Sequence, residues 1–244
     1  MPFRAIRNVP VVLLFCTTLT WATQSEPDLD AGGCRQVASQ LPQAASTFGR
    51  GLAVAPRDAV RPSNLKWELP IAAATGLLIV SVDNHVNNHI RSASFAQDAA
   101  RGSNVGLGIE LGAAGLAYLV GCSEHRSPYM ASSGFTALEA MGAASVVGLG
   151  IKTATNRQYA YAKNTHGEFW EGGGSFPSGH AAASFAFASV IAHRYPKNPW
   201  LKWGAYGLAS SVSFARVAGK KHFVSDIVAG GVVGYVTGTY MSTR

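Results

Sequence analysis

The chain has 244 residues, 48% of them hydrophobic and only 14% charged, with 27 glycines and 11 prolines. That is enough chain for one sizeable core, and it excludes a disordered or collagen-like polymer. Soluble domains carry about a quarter charged residues, so the low charge and a mean hydropathy of +0.13 indicate a surface that faces lipid or another protein. The net charge of +7 suits an anionic substrate or an anionic membrane surface. Lys and Arg are scattered and lack interleaved aromatics, which excludes a nucleic-acid partner.

In chain order, Arg4 and Arg7 precede the apolar run Val9 to Leu19, and the small residues Thr20 and Ala22 follow. This is the pattern of an export signal over residues 1–22; an uncleaved anchor is the alternative, although the run is shorter than the about 20 residues that span a bilayer. Residues 23–68 are polar and aperiodic, a tether or cap outside the cytoplasm. Cys34 and Cys122 remain after the signal, an even number compatible with one disulfide.

From residue 69 to 244 the chain reads as one helical domain. Its apolar segments are Leu69–Val82, Val105–Gly121, Ser132–Ile151, Ala181–Ala192, Trp203–Ala215 and Ile227–Met241. They predict an all-α helical bundle. Low charge and Ala- and Gly-rich segments make the expectation a membrane-embedded bundle; the shortness of most segments makes a soluble one the alternative. Asp83 to His89 reads as a polar loop and not as a metal site, since no set of partners with ligand spacing follows.

The chemistry concentrates near the C-terminus. Gly172 to His180 leads from a glycine-rich loop directly into the apolar segment at Ala181. Such a junction offers unpaired backbone N–H groups and the positive end of a helix dipole, together an anion site. Ser178 adds a hydroxyl, Gly179 lets the backbone approach an oxyanion, and His180 puts a titratable nitrogen at the rim. An ordinary Ser-capped helix has the same pattern in isolation.

Further on, Arg216 ends one segment, Lys220-Lys221 forms a turn, and His222 stands four residues before Asp226. Positions four apart share a helix face, so the carboxylate can hydrogen-bond one imidazole nitrogen and leave the other as nucleophile or base. A helix-start ion pair is the plainer alternative. Lys152 and Arg157 follow Ser132–Ile151, where flanking interfacial charge is also expected.

Taken together, the three pieces resemble the type 2 phosphatidic acid phosphatase family, which shares its site with vanadium haloperoxidases and bacterial class A acid phosphatases. The likeness covers about residues 130 to 242. The family's Pro-Ser-Gly-His motif matches at Pro177 to His180. Its Ser-Arg, five residues, His, three residues, Asp motif matches at Arg216, His222 and Asp226, with Ala215 in place of the serine. The first motif, Lys, six residues, Arg-Pro, matches at Lys152 only: Tyr159 and Ala160 occupy the Arg-Pro positions, and Arg157 supplies the nearest guanidinium.

The resemblance implies a metal-independent phosphatase that needs no cofactor. His222 would attack phosphorus to give a phosphohistidine, Asp226 would hold its tautomer, and His180 would protonate the leaving oxygen and then activate water. Lys152, Ser178, Gly179 and Arg216 would bind the phosphoryl oxygens, with Arg157 substituting for the missing arginine. The substrate is then a lipid phosphomonoester or diphosphate. The alternatives are a soluble periplasmic acid phosphatase acting on small phosphoesters, and a catalytically lapsed member that binds phosphate or anionic lipid; the missing Arg-Pro supports the last.

Topology supplies a further expectation. If each segment from Ser132 onward crosses once, all three motifs emerge on one side. The other side receives Arg194, Lys197, Lys202 and Arg244 and is cytoplasmic, so the site faces the periplasm. Leu69–Val82 must then stay out of the bilayer, and Cys122 begins a cytoplasmic loop apart from Cys34. In a soluble periplasmic protein those two cysteines are free to pair.

Overall fold

The computed structural model describes residues 62–90, 93–123, 127–162 and 166–243. The export signal, most of the tether, Cys16 and Cys34 lie outside them. Among the described residues seven helices follow one another: α1 Pro62–Ser81, α2 Asp83–His89, α3 Ala93–Gly121, α4 Pro128–Thr155, α5 Gly179–Arg194, α6 Pro199–Ala218 and α7 Val224–Ser242.

Every apolar segment read from the sequence falls on a helix, Leu69–Val82 running one residue past α1, and each helix is longer than its segment. The extra length comes from polar and capping turns that an apolar count does not register. Pro128 opens α4, and Asn156, in the left-handed conformation at φ 46°, closes it with its N–H on Lys152 O. Pro199 opens α6 after Asn198, whose side chain accepts the Leu201 N–H at 3.1 Å. Two expectations are corrected. Asp83 to His89, read as a loop, is helix α2, bent 44° from α1. α1 begins at Pro62, inside the segment read as tether.

The bundle is built inside out in residue size. α5 sits at its centre, against α7 above all and also against α4, α6 and α3. The interior holds Ala137, Ala140 and Ala144 of α4, Ala182 and Ala186 of α5, and Ala209 of α6. Leu77, Val105, Ile109, Leu116, Leu119, Val146, Leu149 and Phe214 lie on the outside. Small residues let helix backbones approach closely, and large apolar residues facing outward suit lipid. On α7 the stripe Gly230, Gly234 and Gly238 lies on α5: a Cβ at Gly234 would come within 2.1 Å of Ala182 O, so only glycine permits that spacing.

Two helices, α3 from Ser94 and α4, are long and apolar enough to cross a membrane, or three spans if the bent α1–α2 pair counts as one. Among the described residues, α5, α6 and α7 do not combine that length with that hydropathy. Cys122 also departs from expectation, since it is disulfide-bonded with a partner outside the described residues. Disulfides belong to oxidising compartments, which does not fit a cytoplasmic loop at the α3–α4 corner.

Candidate active site

The site forms at one end of the bundle, where α4 and α6 end and α5 and α7 begin. α4 brings Lys152 in its last turn and α6 brings Arg216 in its last turn, while His180 and Asp226 lie in the first turns of α5 and α7. Ser178 caps α5: its side chain accepts the Ala181 N–H at 3.4 Å, and its own N–H donates to Asp226 O at 2.9 Å. The cap therefore ties the glycine-rich junction to the first turn of α7. Lys152 lies beside that junction, its Nζ donating to Gly174 O and its Cε 3.9 Å from where a Cβ on Gly179 would stand.

His222 is buried, with Nδ1 3.5 Å from Asp226 Oδ2, so Nε2 is the nitrogen left for chemistry. Asp226 is fully buried and richly supplied with donors. Oδ2 accepts from Ser175 Oγ and, at 2.8 Å, from the Phe223 N–H, while Oδ1 accepts from Arg157 Nη1 at 2.5 Å. Burial alone would raise its carboxyl, but the Arg157 charge, the neighbouring His222 and the hydrogen bond from Ser175 more than offset that and hold it well below the usual carboxylate range. Burial pushes the His222 imidazole down against the pull of Asp226, with Lys152 and Arg216 adding to the downward push. The ring is therefore neutral at neutral pH, the form a nucleophile requires.

Arg157 does not lie at the rim. Its side chain has no exposed surface, and it bridges two carboxylates, Asp226 and, through Nη2 at 2.7 Å, Asp83 Oδ2. Nη1 also donates to Ser225 Oγ at 2.7 Å and Nε to Gly167 O at 2.9 Å. The guanidinium packs between the rings of Phe223 and Phe169, 4.4 and 4.9 Å from their centroids. Gly167, at φ +71°, must be glycine, because a Cβ there would meet Arg157 Nη2 at 2.7 Å. Arg157 is thus a strut behind the His222–Asp226 pair. Tyr159, at the position of the family's missing arginine, lines a cleft together with Arg216 and Asn104.

Two contributors escaped sequence reasoning. Asp83 of α2 accepts from Arg157 and from both the N–H and Oγ of Ser225, at 2.9 and 2.5 Å. Asn104 of α3 accepts from His180 Nε2 at 2.9 Å and from Arg216 Nη1 at 3.3 Å. Both lie more than 70 residues from their partners in sequence, beyond the reach of any local pattern. Arg216 keeps a buried Nε with no protein partner, a donor available to a bound oxyanion. Burial, then the charges of Arg216, His222 and Lys152, push His180 down to about 4. Among the described residues no group of His, Cys, Asp and Glu is arranged to hold a metal ion.

This end of the small-residue helical bundle is cationic and holds a buried imidazole–carboxylate pair. Residues 133–243 match the PAP2 superfamily. Over 65 residues, 26% of the chain, it is 35% identical to the lipid A 1-phosphatase of Porphyromonas gingivalis, of which it covers 15%. No solved structure matches the chain. Asp83 and Asn104 both lie ahead of the matched stretch.

Proposed function

We propose that the protein is a phosphatase that hydrolyses a phosphomonoester or diphosphate of a lipid through a phosphohistidine. The single observation that carries this reading is the pairing of His222 with an Asp226 buried and charged, facing Lys152, Arg216 and the N-terminus of α5. The superfamily match and the activity named for the Porphyromonas relative support it. Phosphoryl transfer is chiefly positioning and charge stabilisation, and fixed cations with a helix N-terminus supply both.

His222 Nε2 attacks phosphorus as the bond to the substrate's ester oxygen breaks, and His180 protonates that oxygen. Water, giving its proton to His180, then cleaves the P–N bond and releases phosphate. Lys152, Arg216, Ser178 and the Gly179 N–H hold the phosphoryl oxygens, whereas Arg157 positions Asp226 and touches no substrate. The exposed Val105, Ile109, Leu116 and Leu119 of α3 favour a substrate held by its tail. The disulfide at Cys122 favours an arrangement in which both ends of the bundle share the oxidising periplasm, with α3 against the membrane and the site in that compartment.

The test is phosphate release by the purified full chain from phosphatidate, a polyprenyl diphosphate and water-soluble phosphomonoesters. His222→Ala should lower kcat by at least about a thousandfold, as loss of a nucleophile does elsewhere, while helical content is kept. Substantial residual turnover would remove His222 from the nucleophile's role.

A further inference from the structure

The cleft lined by Arg216, Asn104 and Tyr159 is larger than one phosphate needs. Its volume is about 670 Å³, inside the range of about 300–1,000 Å³ for small-molecule sites. It runs from Arg216 and Asn104, which belong to the phosphoryl site, to the first turns of α3 and the turn after α6. Four lining residues are cations, Arg101, Arg216, Lys220 and Lys221, and none is acidic. Arg101 has Asp98 at 3.6 Å on the exposed face of α3, and Arg216 serves the scissile phosphate. The two lysines face the cleft with no carboxylate lining it. One wall is aromatic: Tyr159 and Tyr161 stack at 5.1 Å, and the Lys221 ammonium sits 5.0 Å over the Tyr161 ring.

The backbone that delivers Lys220 is strained. The Lys221 N–H donates to Arg216 O and the Lys220 N–H to Val217 O, both at 2.9 Å, which is the bonding that closes a helix through a left-handed residue. That residue is Lys220, at φ +52°. Glycine adopts this conformation freely and an L side chain does so with difficulty. Strained residues of this kind cluster at functional sites, and what glycine would not supply here is the ammonium.

We propose that this end of the cleft is a subsite for a second anionic group on the substrate's own headgroup, so that a headgroup carrying two phosphates is preferred to one carrying a single phosphate. This rests on the phosphatase reading above. The scissile phosphate occupies Arg216, Lys152 and the start of α5, the body of the headgroup lies along Tyr159 and Tyr161, and the second phosphate is held by Lys220 and Lys221. α3 turns apolar and exposed at Val105 and Ile109, directly after Asn104, which gives the tail its exit.

The test compares glucose 1-phosphate with glucose 1,6-bisphosphate, and dioleoyl phosphatidate with dioleoylglycerol diphosphate in neutral-detergent micelles, using the full chain at low salt. In at least one pair the doubly phosphorylated substrate should show a KM about tenfold lower, equivalent to about 1.4 kcal/mol. The advantage should fade at about 0.5 M salt, as exposed charge is screened. Lys220→Gly removes the ammonium and relaxes the backbone, so it should bring the KM ratio close to one at an unchanged or higher melting temperature; Lys221→Gln should do so without touching the turn.

Equal KM values in both pairs, or a preference that survives both substitutions, overturns the subsite. So does a Lys220-dependent fall in the KM of phosphatidate when phosphatidylglycerol is added to the micelles with no preference within either pair, since the cleft would then read neighbouring lipid. Absence of phosphate release from every substrate overturns the phosphatase reading instead.

Discussion

Replacing Arg157 by methionine, similar in length but without charge, tests the strut directly. The guanidinium is fully buried and satisfies Asp83, Asp226, Ser225 Oγ and Gly167 O at 2.5–2.9 Å. Removing one partner of a buried ion pair costs about 3–5 kcal/mol, because an uncompensated charge stays behind. Here two carboxylates are stranded together, so the upper part of that range applies. Against a total stability of about 5–15 kcal/mol, the loss is a third or more. Adding Asp83→Asn to the same chain removes one stranded charge, so the double variant should be less destabilised than the sum of the single ones, by about 1–3 kcal/mol of coupling. Denaturant titration of the four proteins measures this.

Activity gives the second readout. A strut misplaces the nucleophile when lost, and misplacement of about 1 Å costs about a hundredfold, so kcat should fall by about that factor while KM changes little. A stability loss below about 1 kcal/mol, additive single effects, or a raised KM at constant kcat would refute the argument; the last would return Arg157 to the phosphate.

His180, held at about 4 in the free protein, loses its proton as pH rises through that value, so kcat/KM should decline from about pH 4 upward. Bound phosphate offsets the neighbouring cations, so the limb in kcat should lie at higher pH, and Arg216→Gln should shift the kcat/KM limb upward; a limb that ignores Arg216 would disconnect the two. The same depressed His180 makes stability fall as pH drops from about 6.5, the ordinary histidine value, toward about 4, visible in melting temperature and reduced in His180→Ala. Gly234→Leu drives a side chain into the Ala182 carbonyl region and should cost about 1–3 kcal/mol, measured by denaturation; a neutral effect would mean α5 and α7 are not in backbone contact. Vanadate, which takes the five-coordinate shape of phosphorus in transfer, should inhibit competitively, and insensitivity would count against the assigned oxyanion site.

What could be read from the sequence was whatever lay close together along it. Pro177 to His180 and His222 to Asp226 are short, ordered runs whose chemistry follows from spacing, and the apolar segments located six of the helices. Their true lengths were hidden because polar first turns, such as Ala93 to Asn104 of α3, look like loop. The role of Arg157 was hidden for a different reason. A guanidinium two residues from an empty motif position suggests substitution, and only the burial of Asp83 against it, across 74 residues, reveals where its charge is used. Asn104 carries no sequence signal at all, since a lone amide on a Gly-rich helix promises nothing until His180 is placed opposite.

The salt bridge to Asp83 has a consequence for how this molecule can be divided. The stretch that matches the superfamily contains His180 and both residues of the His222–Asp226 pair, yet two of its polar fastenings, at Asp83 and Asn104, are anchored upstream of residue 133. A fragment trimmed to that stretch would retain every signature residue while leaving a buried guanidinium half-neutralised and the acid histidine unguided. Truncated versions, chimeras and evolutionary transplants of this end of the bundle should therefore carry the chain from α1 onward, because inheritance of the motifs alone does not transmit the scaffold that aims them.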